Sequence, residues 1–125
     1  MQISIEELQQ PKDGRSFDVK SYSIATLTGK VGMFVGDISV TEVFGLVTIE
    51  GKPIKGYAKG AGMEIAFLGP SAALPSNVLS PSEERLEATL FLRVDQMATI
   101  ASQLQSKAAR IVINTLGADA CAIAS

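Results

Sequence analysis

The sequence predicts an α+β fold that is mostly β. We expect an antiparallel five-strand meander, which could close into a barrel-like sheet, followed by a β-α-β tail with one amphipathic helix. Glycine punctuates residues 17–68 at short intervals, and the runs between are rich in Val, Ile, Phe and Thr. Short apolar runs separated by glycine-containing pairs are typical of strands joined by hairpins. A single stripe of apolar residues at helical spacing follows them near the C-terminus.

The long third run changes phase along its length. The expected strands of the meander cover residues 17–27, 31–35, 38–49, 53–59 and 62–68. In the third, Ile38 and Val40 share one parity, whereas Val43, Val47 and Ile49 share the other. Because a shift of one residue moves every later side chain to the opposite face, a bulge between residues 41 and 45 that includes Gly45 would reconcile the halves. Alternatively, both faces are covered, as in a barrel wall or a subunit interface.

Residues 69–85 form the longest segment without a periodic pattern. Three prolines and four serines favour a loop, and loops of this length are uncommon unless they are functional or mobile. Ser80-Pro81-Ser82-Glu83 matches a capping box with proline at the first helical position, so we expect a short helical turn from Pro81.

The tail contains one ambiguous segment, residues 86–94. Its apolar residues fit both strand alternation and helical spacing, and we favour a strand because Thr89–Val94 is rich in β-formers. Asp95 would then cap a helix over residues 96–107, whose apolar stripe is Met97, Ile100, Ala101 and Leu104. A last strand over 110–116 would complete a β-α-β unit with a right-handed crossover.

Composition excludes several classes of chemistry. The chain has 125 residues, 46% hydrophobic and 19% charged, which fits a single domain over residues 1–125 rather than a disordered chain. A net charge of −2 argues against a nucleic-acid partner. The absence of His and the single Cys exclude, within this chain, His-based triads, His/Cys zinc sites and an intrachain disulfide. We expect no cofactor and no metal.

The same reading predicts a cytoplasmic protein. The first ten residues lack a basic start and a long apolar core, and no stretch approaches the roughly 20 apolar residues of a membrane span. Cys121 has small apolar neighbours, which favours a packed thiol. A virion or phage particle would fit these observations as well.

The first candidate site is a set of lysines around a tyrosine. On a strand over 53–59, Lys55, Tyr57 and Lys59 would point the same way, with Lys52 nearby. Residues 51–62 contain no acidic side chain, so this hairpin would carry a local charge of +3 and bind a small anion, with the 69–85 loop covering it. The alternative is that these lysines keep an edge strand soluble.

The second candidate is Glu42, in the most apolar run. If its parity follows Val40, its carboxylate faces the core, where burial would favour the protonated form and suit it to general-acid chemistry. If the bulge precedes it, Glu42 faces water, which is the cheaper arrangement unless Arg93 or Arg110 lies close. A cluster at Glu83, Glu84 and Glu87 lacks the spacing of a calcium loop and suits a helix start.

Three functions follow, in order of preference. The first is a non-enzymatic, self-associating interaction or structural protein, bacterial or phage-like, because the apolar content is high and catalytic residue types are few. The second is a module that binds a small anion or other small molecule at the lysine hairpin. The third is an acid–base enzyme that uses Glu42 or a Tyr/Lys pair.

Overall fold

The protein is mostly β with one short helix, as the sequence predicts. A computed structural model describes residues 14–27, 31–114 and 121–124. A 3₁₀ turn at Val94–Gln96 precedes the single helix α1 (Met97–Leu104). The strands are β1 (Gly14–Thr26), β2 (Met33–Val35), β3 (Ile38–Val40), β4 (Val43–Gly51), β5 (Ala61–Leu68), β6 (Val78–Ser82), β7 (Arg85–Arg93), β8 (Arg110–Asn114) and β9 (Ala122–Ala124).

Seven of the strands form one mixed sheet in the order β6-β7-β5-β4-β1-β8-β9. Only β5 and β7 pair in parallel, and the other neighbours are antiparallel. β2 and β3 form a separate two-stranded ribbon. The simple meander is therefore wrong in detail, because the ribbon leaves the sheet and β7 inserts between β5 and β6.

The inner face of the sheet, defined here as the face that α1 covers, holds the larger core. Met97, Ile100 and Leu104 pack from the helix onto this face, so most of the predicted apolar stripe is confirmed. Leu104 is the buried one of the three, and full burial of such a side chain stabilises the fold by about 1.5–3 kcal/mol. The fully buried large side chains of this inner core include Phe17, Ile49, Met63, Ile65, Phe67, Leu86, Ile111 and Ile113.

Among the described residues, the outer face is covered at one end only. Val35 and Val40 of the ribbon and Ala72 of the loop pack onto Leu68 and Phe91 there. The β4–β5 register shifts between Val43 and Gly45, which confirms the predicted bulge. The bulge lets Val43 face this outer cluster while later residues of β4 face the inner one.

Several expected elements differ from the structure. Residues 53–59 are not a strand: Ile54 and Tyr57 close a tight turn with Gly56 at φ +91°. Residues 78–82 form strand β6 instead of a loop and a helical turn, and Glu83 and Glu84 make its hairpin turn. Pro81 fits there because β6 is an edge strand, where the missing N–H costs no ladder hydrogen bond.

The structure also differs in part from the predicted C-terminal tail. Residues 86–94 are a strand as favoured, within β7. Asp95 lies inside the 3₁₀ turn, and Gln96 occupies the cap position of α1 without a side-chain hydrogen bond. Following the pairings from β7 through β5, β4 and β1 shows that β7 and β8 run in opposite directions, so they do not form the expected parallel crossover. Residues 1–13 and 115–120 lie outside the described residues, and these include the end of the last strand expected over 110–116.

Candidate functional site: a free strand edge beside α1

The lysine hairpin does not have the geometry expected of it. Because residues 53–59 form a turn, the side chains of Lys55, Tyr57 and Lys59 do not follow strand alternation. The ring of Tyr57 packs edge-to-face on buried Phe17, with ring centroids 5.8 Å apart. Lys52, Lys55 and Lys59 are exposed. Tyr57 therefore supports the core at this turn.

Acidic residues lie beside the same lysines. The backbone N–H of Lys59 donates to the carbonyl oxygen of Glu84 at 3.0 Å, which fixes the β6–β7 turn next to the lysine hairpin. The Lys59 ammonium and the Glu84 carboxylate are 4.0 Å apart and both exposed. The turn beside the lysines thus carries carboxylates that offset the local positive charge, whereas the loop from Gly69 starts at the other end of β5.

Glu42 is buried at the junction of β3 and β4. Its side chain is 8% exposed, and its backbone lies in the left-handed region at φ +53°. Its carbonyl oxygen accepts the N–H of Gly69 at 2.9 Å. Arg93 donates to the carbonyl oxygens of Gly69 and Ala72, at 2.6 Å each. These contacts hold the start of the 69–77 loop on the sheet, which gives the junction a structural role.

The two sequence candidates cannot form one site. Glu42 precedes the first residue of β4 and Lys52 follows the last. A nine-residue strand separates them, and at about 3.3 Å per residue this is roughly 30 Å. Among the described residues, no group of three or more His, Cys, Asp or Glu side chains converges in a way that would hold a metal ion.

An arginine clamp occupies the exposed part of the outer face. The Arg85 guanidinium donates to both carboxylate oxygens of Glu50 at 3.0 and 2.9 Å, to Glu87 at 2.9 Å and to the Lys59 carbonyl oxygen at 3.0 Å. It lies over Gly62, where a Cβ would meet the guanidinium at 2.5 Å. The hydrogen bond that Arg85 donates to Glu87 raises the pKa of Arg85, burial opposes this, and Glu50 adds to the rise. The cluster is internally satisfied and ties β4 to β7.

We expect Arg85→Gln to lower the free energy of unfolding by about 1–2 kcal/mol, because hydrogen bonds to two carboxylates are lost at a partly exposed site. Urea unfolding followed by circular dichroism measures the change. Lys55→Gln, at an exposed turn position, is the matched control and should change it by less than about 0.5 kcal/mol. Equal losses in both variants would show that the clamp contributes nothing beyond its charge.

The remaining candidate is the free edge of β1, defined here as residues 20–26. Strand β8 pairs with β1 only from Gly14 to Asp18, and β4 pairs with it from Val19 to Thr26. In the described part of the chain, the last hydrogen bond on the β8 side is from the Val19 N–H to the Ala109 carbonyl oxygen, at 3.1 Å. Every side chain of the free edge is exposed.

This edge differs from the other two edges of the sheet. β6 contains Pro81, and β9 has three residues. The free edge of β1 contains seven residues without proline, and it exposes 41% of Tyr22 and 36% of Ile24. Sheets usually protect such edges with proline, charge or short length, because an open edge pairs with other chains. Lys20 is its one charged residue.

Sequence reasoning missed this edge. The run Lys-Ser-Tyr-Ser-Ile-Ala-Thr signals a strand, and its scarcity of large apolar side chains on one parity signals exposure. Which neighbour a strand lacks depends on distant segments, here the point at which β8 ends.

Comparison with known protein families, curated proteins and solved structures finds no match.

No helix in the described ranges has the length and apolar character needed to span a bilayer.

Proposed function

We propose that this protein is a non-enzymatic interaction protein that self-associates by pairing the free edge of β1 with the same edge of a second copy. The observation that carries the proposal is the length and exposure of that edge, residues 20–26. Open edges of this kind bind extended chains through backbone hydrogen bonds. A structural role in a bacterial or phage assembly belongs to the same proposal.

The hydrogen-bonding groups of this edge are arranged for antiparallel pairing. The Leu27 N–H donates to the Phe44 carbonyl oxygen at 2.9 Å, so odd-numbered residues from Ser21 direct their backbone groups toward β4. The backbone N–H and C=O groups of Tyr22, Ile24 and Thr26 therefore point away from β4. A second copy of this strand, running antiparallel, would present the complementary row.

The side chains of the edge suit a symmetric pair. Tyr22 and Ile24 pair with Ile49 and Val47 of β4, so both lie on the inner face. In a twofold pair, these apolar side chains meet their equivalents from the second copy, and aromatic–β-branched pairs across strands contribute about 0.2–1 kcal/mol each. Lys20 lies at the end of the edge, so pairing centred near Ser23 brings no like charges directly opposite.

Ile24→Lys tests the proposal. We expect the wild-type chain to form dimers in multi-angle light scattering, and Ile24→Lys to raise the dimer dissociation constant by at least about tenfold, because it places a charge within the paired edge. Ser39→Lys adds the same charge on the exposed side of β3 and should leave the constant unchanged. A wild-type monomer at high micromolar concentration contradicts the proposal, as does equal weakening by both variants.

Cysteine cross-linking identifies the surface independently. In a Cys121→Ser background, single cysteines at Ser23, Ile24 and Ala25 are compared under mild oxidation. In a twofold antiparallel pair, the residue on the axis lies opposite its own copy, within reach of a disulfide. One of the three should cross-link efficiently, whereas Thr48→Cys, exposed on β4, should not. Dimers without any of these cross-links would place the interface elsewhere.

A further inference from the structure

A groove separates the start of the free edge from the end of α1. Its volume is about 420 Å³, within the usual range of small-molecule sites. Its apolar lining comes from Val19 on β1, from Leu104 at the last turn of α1 and from Ala109 just before β8. Leu104 and Ala109 are buried, at 3% and 7% exposure.

The walls of the groove are fixed at both ends. The Val19 N–H bonds the Ala109 carbonyl oxygen, and beyond this contact β1 diverges from the turn that follows α1. That turn is closed by hydrogen bonds from the Ala109 N–H to the Ser106 carbonyl oxygen at 3.2 Å and from the Ala108 N–H to Ser106 Oγ at 3.3 Å. The groove therefore lies between two hydrogen-bonded segments.

The charge of the groove is positive within an acidic protein. Lys20 lines it from β1 and Lys107 from the turn after α1, and none of the described residues that line it is acidic. The protein as a whole carries a net charge of −2. In a single chain, the Tyr22 N–H points away from β4 toward the same groove and adds a backbone donor, whereas in the proposed dimer it would bond the second copy instead. Two cations and one N–H suit a carboxylate.

We infer that this groove binds an amphipathic monoanion, an aliphatic carboxylate whose head group contacts Lys20 and Lys107 and whose chain packs against Val19, Leu104 and Ala109. This assigns the small anionic ligand expected from the sequence to a place other than the lysine hairpin. The inference does not depend on self-association, because the groove residues are present in a single chain.

Octanoate is the probe, titrated by NMR into the ¹⁵N-labelled Ile24→Lys variant, which lacks the proposed association and leaves the groove lining unchanged. We expect the amides of residues 19–22 and 104–109 to shift. Lys20→Glu with Lys107→Glu should lower the affinity by about tenfold, because two attractive contacts become repulsive. Octanol, with the same chain and no charge, should bind more weakly than octanoate.

Lys52→Glu with Lys55→Glu is the matched control, since it makes the same change in net charge at exposed lysines outside the groove. The affinity of this control for octanoate should equal that of the Ile24→Lys variant. The inference is overturned if octanoate does not bind, if both double variants weaken binding equally, or if octanol binds as tightly. These outcomes leave the dimer measurements untouched, so the two proposals fail separately.

Discussion

Gly60→Ala is expected to lower the free energy of unfolding by about 2–5 kcal/mol. Gly60 has φ +75°, a backbone conformation that costs an L-residue about 1–2 kcal/mol. A Cβ at this position would also collide with the carbonyl oxygen of Gly51. Relief requires movement of backbone instead of a flexible side chain, and overpacking of this kind adds about 1–3 kcal/mol.

The position of Gly60 makes such a movement costly. Its carbonyl oxygen accepts the N–H of Leu86 at 3.3 Å, and its own N–H donates to Tyr57 at 2.9 Å. The next residue, Ala61, begins β5 and pairs with both Gly51 and Leu86. Displacing Gly60 therefore strains the start of the central β4–β5–β7 ladders.

Gly56→Ala is the control for Gly60→Ala. Gly56 also has a positive φ, +91°, but an added Cβ would meet nothing within 4 Å. It should cost about 1–2 kcal/mol from backbone strain alone. Urea unfolding of both variants measures the difference, and equal losses would show that the contact with Gly51 is unimportant.

Phe17→Ala is expected to cost about 3–5 kcal/mol, the usual result of emptying a large aromatic site in a core. Phe17 is fully buried and packs edge-to-face on Tyr57. It pairs with Ile111 of β8, one residue before β8 stops pairing with β1 at Asp18. Its ring thus fills the space where β1 passes from one partner strand to the other.

Phe34→Ala is the matched control for Phe17→Ala, because it removes the same ring from a side chain that is 71% exposed on β2. It should change the free energy of unfolding by less than about 0.5 kcal/mol. Thermal or urea unfolding tests the pair. If Phe17→Ala were as mild as Phe34→Ala, the junction of β1, β4 and β8 would not depend on this ring.

The candidate site shows where sequence reasoning stops. Two lysines and a tyrosine at alternate positions, Lys55, Tyr57 and Lys59, suggested one exposed face, but the Ile54–Tyr57 bridge makes a turn that directs Tyr57 into the core. The carboxylate that approaches Lys59, that of Glu84, comes from a turn about 25 residues later, and the parallel pairing of β5 with β7 brings it there. Local alternation carries no information about that pairing.

Local patterns determined much of the protein: its predominance of strands, the bulge near Gly45, the strand at residues 86–94 and the apolar stripe of α1. These depend on residue type and spacing over a few positions. Only the tertiary structure decided that β7 lies beside β5 and that β8 leaves β1 after Asp18. A free edge and a groove occur where no described segment lies beside a strand. Pairing between distant strands decides where this happens. The predicted, mostly β fold is therefore confirmed. The surface proposed for self-association arises instead from the order of the strands in the sheet.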